Sequence, residues 1–316
     1  MAGRGIAVVG AGLIGCAWAM VFSRAGWNVA LYDTVPAALD AAPGLCAEGL
    51  ADLQRNGLCD DAAAAAARIR IATSLEDGLR GAEYVQENGP EKLDAKIAIF
   101  AELDRLAGPG VILASSTSGI PCSAFTEGLP GRARCLVAHP VNPPHLVPVV
   151  ELSGAPWTSE DTIARARAIF DAVKQAPITV KKEIEGFILN RLQAALVGEA
   201  FRLVQEGYVT PRDLDTTVAE GLGLRWSFLG PFATIELNAP GGIADYCVRY
   251  GGLLGRVIAD PPSPDVFGPE GAAKIVEAWG ETPSPAEVAA RRARRDRRLA
   301  ALAAHKRAMA AKETMK

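Results

Sequence analysis

The chain has 316 residues, of which 49% are apolar, and a formal net charge of −3. That length suits about two domains and the apolar share is ample for a core, while the slightly acidic balance argues against a general nucleic-acid or membrane-surface binder. The six cysteines make no CxxC pair and no ligand-like spacing, which favours free thiols over disulfides or a metal site, and no apolar run approaches a membrane span. The expectation is a cytoplasmic protein.

In chain order, a first β-like run at residues 5–10 enters Gly10-Ala11-Gly12-Leu13-Ile14-Gly15 and then a helix that stops at Gly26. These glycines split the apolar stretch from Ile6 to Phe22, so a strand, turn and helix suit it better than a signal-peptide core. In such a turn the first glycine permits the bend and the second lets a pyrophosphate approach the backbone. The third lets helix and strand pack closely, and the helix N-terminus offers free N–H groups to phosphate. A lone GxGxxG is weak evidence. Here a second run, 28–33, ends in Asp33, eighteen residues beyond Gly15. A carboxylate there accepts hydrogen bonds from the adenosine ribose and repels a 2′-phosphate, and no arginine follows it, which favours NAD over NADP. A turn acid at a strand end is the alternative.

The alanine run 62–67 is a helix surface or a short link. Further strands are expected near 68–72, 83–87, 110–115, 134–138, 148–152 and 177–181. Several are continuous apolar runs, as in a sheet covered on both faces. Beyond Glu183 the strand signal disappears. Leu189, Leu192, Leu196, Ala200 and Leu203 recur at helical spacing in 187–206. Helix starts are expected at Thr210-Pro211-Arg212-Asp213 and Ser284-Pro285-Ala286-Glu287. The expected layout is a Rossmann-type α/β domain with a doubly wound, mainly parallel sheet at 1–183. An all-helical domain for substrate binding and dimerisation follows at 184–316.

Two of the three histidines lie in VAHPVNPPHLVPVVE, residues 137–151. His139 ends one apolar run, Glu151 sits in the next, and Asn142-Pro143-Pro144 between them forms a turn. Two strand ends so joined can pair an imidazole with a carboxylate, which makes a base at neutral pH. A proline-rich loop with an incidental histidine is the other reading. LASSTSG, residues 113–119, ends another β-run with a cluster of hydroxyls, none of which the segment itself selects. The arginine-rich stretch 291–298 lacks interleaved aromatics and is read as a helical surface paired with acids.

Together the glycine turn, ASSTSG, AHPVNPPHLVPVVE and EGFILNRLQ resemble the L-3-hydroxyacyl-CoA dehydrogenase superfamily. The likeness runs from about residue 5 to 300, and AHPVNPP with GLGLRWSFLGP points to its lambda-crystallin branch, which includes L-gulonate 3-dehydrogenase. The resemblance implies a catalytic group of Ser118, His139, Glu151 and Asn190, and cofactor contacts at Leu13, Ile14, Asp33, Glu91 and Lys96. His139 would take the hydroxyl proton, Glu151 would hold the other ring nitrogen, and Ser118 would steady the developing alkoxide. For Asn190 a solvent-exposed side chain is the alternative, and for Lys96 a solvated one is the default. His145 departs from the common family pattern and is read as a loop residue at the mouth of the site.

The expected activity is NAD-dependent oxidation of the 3-hydroxyl of a small hydroxy acid, by a homodimer. L-carnitine 3-dehydrogenase, 3-hydroxyacyl-CoA dehydrogenase and a catalytically silent crystallin are the alternatives. Trp226 could face a quaternary ammonium or simply pack. A Ser118-His139-Glu151 hydrolase triad is disfavoured, since there is no GxSxG elbow and the glycine turn would have no purpose. Arg225, just before WSFLGP, is expected to pair with the carboxylate of a free acid; a loop arginine paired with Asp215 or Glu220 is the alternative.

Overall fold

The computed structural model describes residues 4–314. The described residues divide into two compact units, one of residues 4–190 with 291–314 and one of residues 191–290.

The first unit opens with β1 (Gly5–Val9), α1 (Leu13–Arg24), β2 (Asn28–Tyr32), α2 (Pro36–Arg55), α3 (Ala62–Ala66), β3 (Ile69–Ile71) and α4 (Leu75–Leu79). It continues through β4 (Tyr84–Glu87), α5 (Leu93–Leu106), β5 (Ile112–Ser115), α6 (Cys122–Thr126), β6 (Cys135–Pro140), β7 (Val149–Gly154), α7 (Glu160–Ala172) and β8 (Ala176–Val180). All eight expected strands are present. They form one sheet in the order β3-β2-β1-β4-β5-β6-β7-β8. Every pairing is parallel except β6 with β7.

Alternation along β1 shows why both faces are covered. Ile6 and Val8 enter one core cluster and Ala7 and Val9 the other, because successive side chains on a strand point to opposite faces. On the first face Trp18, Phe22, Tyr84 and Phe170 pack ring to ring with centroids 5.4–6.2 Å apart. Phe100 and Phe125, at 4.7 Å, anchor the second.

The second unit takes most of α8 (Leu189–Gln205), then α9 (Pro211–Thr216), a π-helical turn at Thr217–Leu222, α10 (Gly223–Trp226), α11 (Pro231–Glu236), α12 (Gly242–Ile258) and α13 (Pro269–Trp279). Gly198 of α8 lets Pro262 and Phe267 approach, and Phe267 lies 5.2 Å from Phe201. Gln205 Nε2 ties the same helix to the carbonyls of Val266 and Gly271. Both expected helix starts are capped: Thr210 accepts from Asp213 N–H, and Ser284 and Glu287 bond reciprocally at the head of α14 (Pro285–Thr314).

The division into units differs from the expected boundary at 183 in two ways. Residues up to 190 stay with the sheet because the N–H groups of Ile188 and Leu189 bind Glu151 of β7. The last part of α14 belongs there too, because Ala300 is buried in the first core cluster and Leu299 packs on it.

Candidate active site

The site begins with the one antiparallel pairing. Its register sets His139 of β6 opposite Glu151 of β7, and His139 Nδ1 lies 2.7 Å from Glu151 Oε2. Both are buried, the glutamate completely. Glu151 Oε1 accepts the N–H groups of Ile188 and Leu189, each at 2.9 Å, at the start of α8. Burial alone would raise the Glu151 carboxyl, but the hydrogen bond from His139 and the two backbone donors outweigh it and hold the pKa below the ordinary value. An ionised carboxylate only accepts, so Nδ1 carries a hydrogen, and in the neutral imidazole Nε2 is then the nitrogen with the lone pair. That is the tautomer a proton acceptor needs.

Phe187 backs this pair, and it was not singled out from sequence. Its ring centroid lies 5.4 Å from the imidazole, and its side chain is fully buried. Gly186 and Phe187 have φ of 75° and 48°. A left-handed Phe is costly, on the order of 1–3 kcal/mol, and persists where its surroundings demand it. The clue in the sequence was the Gly-Phe step directly before the helix.

Ser118 follows β5, and its carbonyl accepts Asn190 Nδ2 at 2.7 Å. Asn190 is therefore hydrogen-bonded rather than free in solvent, and it follows the residues that hold Glu151. Glu91 gathers the Ser118 loop: its Oε1 accepts from Thr117 Oγ1, Ser118 N, Ser118 Oγ and Gly119 N at 2.6–3.3 Å. Partial burial pulls the Glu91 carboxyl upward, and those donors outweigh it and hold it below its ordinary value.

The glycine turn forms a cradle. Gly10 has φ of 99°, and a Cβ there would stand 2.8 Å from the Asn88 carbonyl oxygen. A Cβ at Gly15 would collide with the Gly10 carbonyl, whereas nothing lies within 4 Å of the place a Gly12 Cβ would take. The turn is thus packed below and open above, over a helix whose N-cap, Gly12, supplies no capping side chain. At the end of β2, Asp33 accepts the N–H of Ala11 at 2.6 Å and of Val35 at 2.9 Å. Its carboxylate is so fixed beside the turn. These features fit a dinucleotide pyrophosphate and ribose.

Lys96 is not the solvated lysine that was the default expectation. It is buried, and its ammonium donates to both Glu87 oxygens at 2.8 Å and to the Gly89 carbonyl at 3.1 Å. All three of its N–H donors are thereby engaged. Ser115 Oγ adds a bond to Glu87 at 2.6 Å. A buried acid must find a partner, but no local pattern in EYVQE or PEKLDAK marks Glu87 as buried. The His145 carbonyl accepts from Arg24, and its Nδ1 is buried without a partner among the described residues.

In the second unit, Arg225 is exposed on α10 and no ion pair joins it to Asp215 or Glu220 among the described residues. It lines a depression of about 620 Å³ beside the π-helical turn. Trp226 is partly exposed, at 40%. In the tail, Arg295 pairs with Asp296, and His305 is exposed.

A dinucleotide cradle on a doubly wound sheet, with a buried imidazole–carboxylate pair in the same unit, defines a dinucleotide-dependent oxidoreductase. The model of the 3-hydroxyacyl-CoA dehydrogenase NAD-binding domain matches residues 5–184, and that of the family's C-terminal domain matches residues 186–260. The chain is 40% identical to lambda-crystallin of Oryctolagus cuniculus, covering 96% of this chain and 97% of the relative. It is 39% identical to L-carnitine dehydrogenase of Streptomyces coelicolor, over 79% of each. The crystal structure of 5-formyl-3-hydroxy-2-methylpyridine 4-carboxylic acid 5-dehydrogenase, described as an NAD+-dependent dismutase, is similar with a TM-score of 0.82 and 31% identity. That match covers 95% of this chain and 97% of that one. The protein belongs to the 3-hydroxyacyl-CoA dehydrogenase family and uses NAD.

Proposed function

We propose that the protein oxidises the 3-hydroxyl of a small free hydroxy acid to the 3-keto acid, as an L-gulonate 3-dehydrogenase-like enzyme. The observation that carries this reading is the 2.7 Å contact between His139 Nδ1 and Glu151, which leaves Nε2 as the free base. Bound NAD supplies the two-electron acceptor for the hydride that leaves the carbinol carbon. His139 Nε2 takes the hydroxyl proton as that hydride departs, and the ionised Glu151 stabilises the imidazolium formed. Ser118 Oγ turns its one hydrogen from Glu91 to the substrate oxygen as that oxygen gains negative charge, and Asn190 holds the Ser118 loop through its carbonyl. Leu13, Ile14 and Asp33, on and beside the glycine turn, would hold the NAD, with Asp33 accepting from its ribose hydroxyls, and Glu91 would fix the Ser118 loop. Lys96 acts through Glu87 and Gly89.

The substrate carboxylate is assigned to Arg225. Two observations support a free acid. The guanidinium has no carboxylate partner within its own unit, and the names of two similar proteins, L-carnitine dehydrogenase and the pyridine carboxylic acid dehydrogenase, specify free acids. NADH formation is to be followed with L-gulonate, L-carnitine, 3-hydroxybutyrate and 3-hydroxybutyryl-CoA, for wild type and Arg225→Met. L-gulonate should give the highest kcat/KM, and the variant should lose on the order of tenfold or more on the free acids through a lost charge-assisted pair. A thioester preferred by wild type, or unchanged free-acid activity in the variant, contradicts the assignment.

The protein acts, in this proposal, as a cytoplasmic homodimer formed through the helical unit. Supporting it are the exposed side chains Phe228, Phe232, Val248 and Leu253, 55–84% accessible, an apolar display that marks interaction surfaces. Sedimentation velocity should give a dimer that Phe232→Glu weakens. A wild-type monomer at micromolar concentration removes this part of the proposal.

A further inference from the structure

A cavity of about 580 Å³ lies within the first unit, between the end of α1, the loop after α2, residues 144–148 of the β6–β7 connection, the end of α7 and α14. No residue of the glycine turn lines it, nor do Asp33, Ser118, His139, Glu151 or Asn190. Four cations do: Arg24, Lys174, Lys306 and Arg307, against one acid, Asp60. Arg24 is partly buried at the end of α1 and donates from Nη1 to the His145 carbonyl at 2.9 Å. No carboxylate lies within ion-pair distance of it among the described residues. Burial draws its pKa down to about 10, and the neighbouring Arg307 pushes the same way. Beside it the His145 Nδ1 is buried and lacks a hydrogen-bond partner among the described residues. Burial, aided by Arg24, lowers that imidazole to about 4, so it is neutral at pH 7 and free to donate one hydrogen.

A half-desolvated guanidinium without a counter-ion costs free energy that an anion would recover. The remaining wall is apolar, with Leu58, Leu146, Val173, Leu299 and Leu302. The volume falls in the range of roughly 300–1,000 Å³ of small-molecule sites. It is far larger than a lone inorganic ion needs.

We propose that this cavity is a second, non-catalytic site for an amphiphilic organic carboxylate, whose charge is held by Arg24 and His145 and whose apolar body lies against Leu146, Val173 and Leu302. A guanidinium fork matches a carboxylate, and neutral His145 completes the set without a repelling charge.

Octanoate is the probe, titrated calorimetrically into the full-length protein saturated with NADH. Wild type should bind it at one site. Lys306→Glu/Arg307→Glu, on the exposed side of α14, should weaken binding on the order of tenfold, and Leu302→Trp, which fills the cavity, should do the same. Arg225→Met should leave binding unchanged, which separates this cavity from the proposed substrate carboxylate site. Absence of octanoate binding to wild type overturns the proposal, as does binding lost in Arg225→Met but kept in the α14 and Leu302 variants. Inorganic phosphate binding as tightly as octanoate, without response to Leu302→Trp, overturns the apolar half of the site.

Discussion

His139 and Glu151 illustrate how one hydrogen bond can set a chemical role. With its Nδ1 hydrogen committed to a carboxylate that also takes two backbone N–H groups, the imidazole can neither rotate nor change tautomer without leaving a buried charge unpaired. The pairing has a pH signature. The folded-state pKa of Glu151 lies below the unfolded value, so its stabilising contribution is complete above about pH 5 and is lost as pH falls through the depressed pKa. Glu151→Gln lacks an ionisable group there. Its melting temperature should therefore trail wild type most at pH 6–8, with the gap shrinking toward pH 3–4, as followed by circular dichroism; a gap that is constant or grows on acidification contradicts the ionised state of Glu151. The place of Asp33 beside the glycine turn and the pairing of His139 with Glu151 were legible in the sequence because short-range cues mark them: a strand end, a fixed offset from the glycine turn, and a proline turn between two apolar runs. Phe187 was not, because contact with an imidazole 48 residues away, from 139 to 187, leaves no local pattern.

At the scale of elements, all eight strands were legible, since apolar and β-branched runs bounded by glycine and proline have few other uses. What those strands and the following helices bury in polar form was not. The end of β4 and the first turn of α5 meet in an ion pair, Glu87 with Lys96, whose side chains are 0% and 1% exposed. Nothing in EYVQE or PEKLDAK separates this from two solvated charges, because the outcome depends on β5 and Ser115 closing over them. Lys96→Met should leave Glu87 charged and uncompensated, at a cost of about 3–5 kcal/mol. Denaturant unfolding should recover much of that loss in Lys96→Met/Glu87→Gln, where neither charge remains. A Lys96→Met protein as stable as wild type means that the pair is solvated. Helix ends were similarly readable from their caps, whereas the return of α14 to the first core was not, since Leu299 and Ala300 look like any helix residues until the partners across the fold are known.

On the scale of the whole molecule, the sequence order α/β then helical matches the two family domains, while the tail returns to pack on the sheet-bearing unit. Everything proposed for the activity converges on one atom in that unit, Nε2 of His139. The most direct measurement is the turnover of His139→Gln beside its NADH affinity, with folding checked by circular dichroism. Glutamine is polar and of similar reach but cannot accept a proton at working pH. The account predicts that kcat falls on the order of a hundredfold or more across the pH range, while NADH binds as tightly as to wild type. A folded His139→Gln protein that turns over substrate near the wild-type rate at any pH would contradict it.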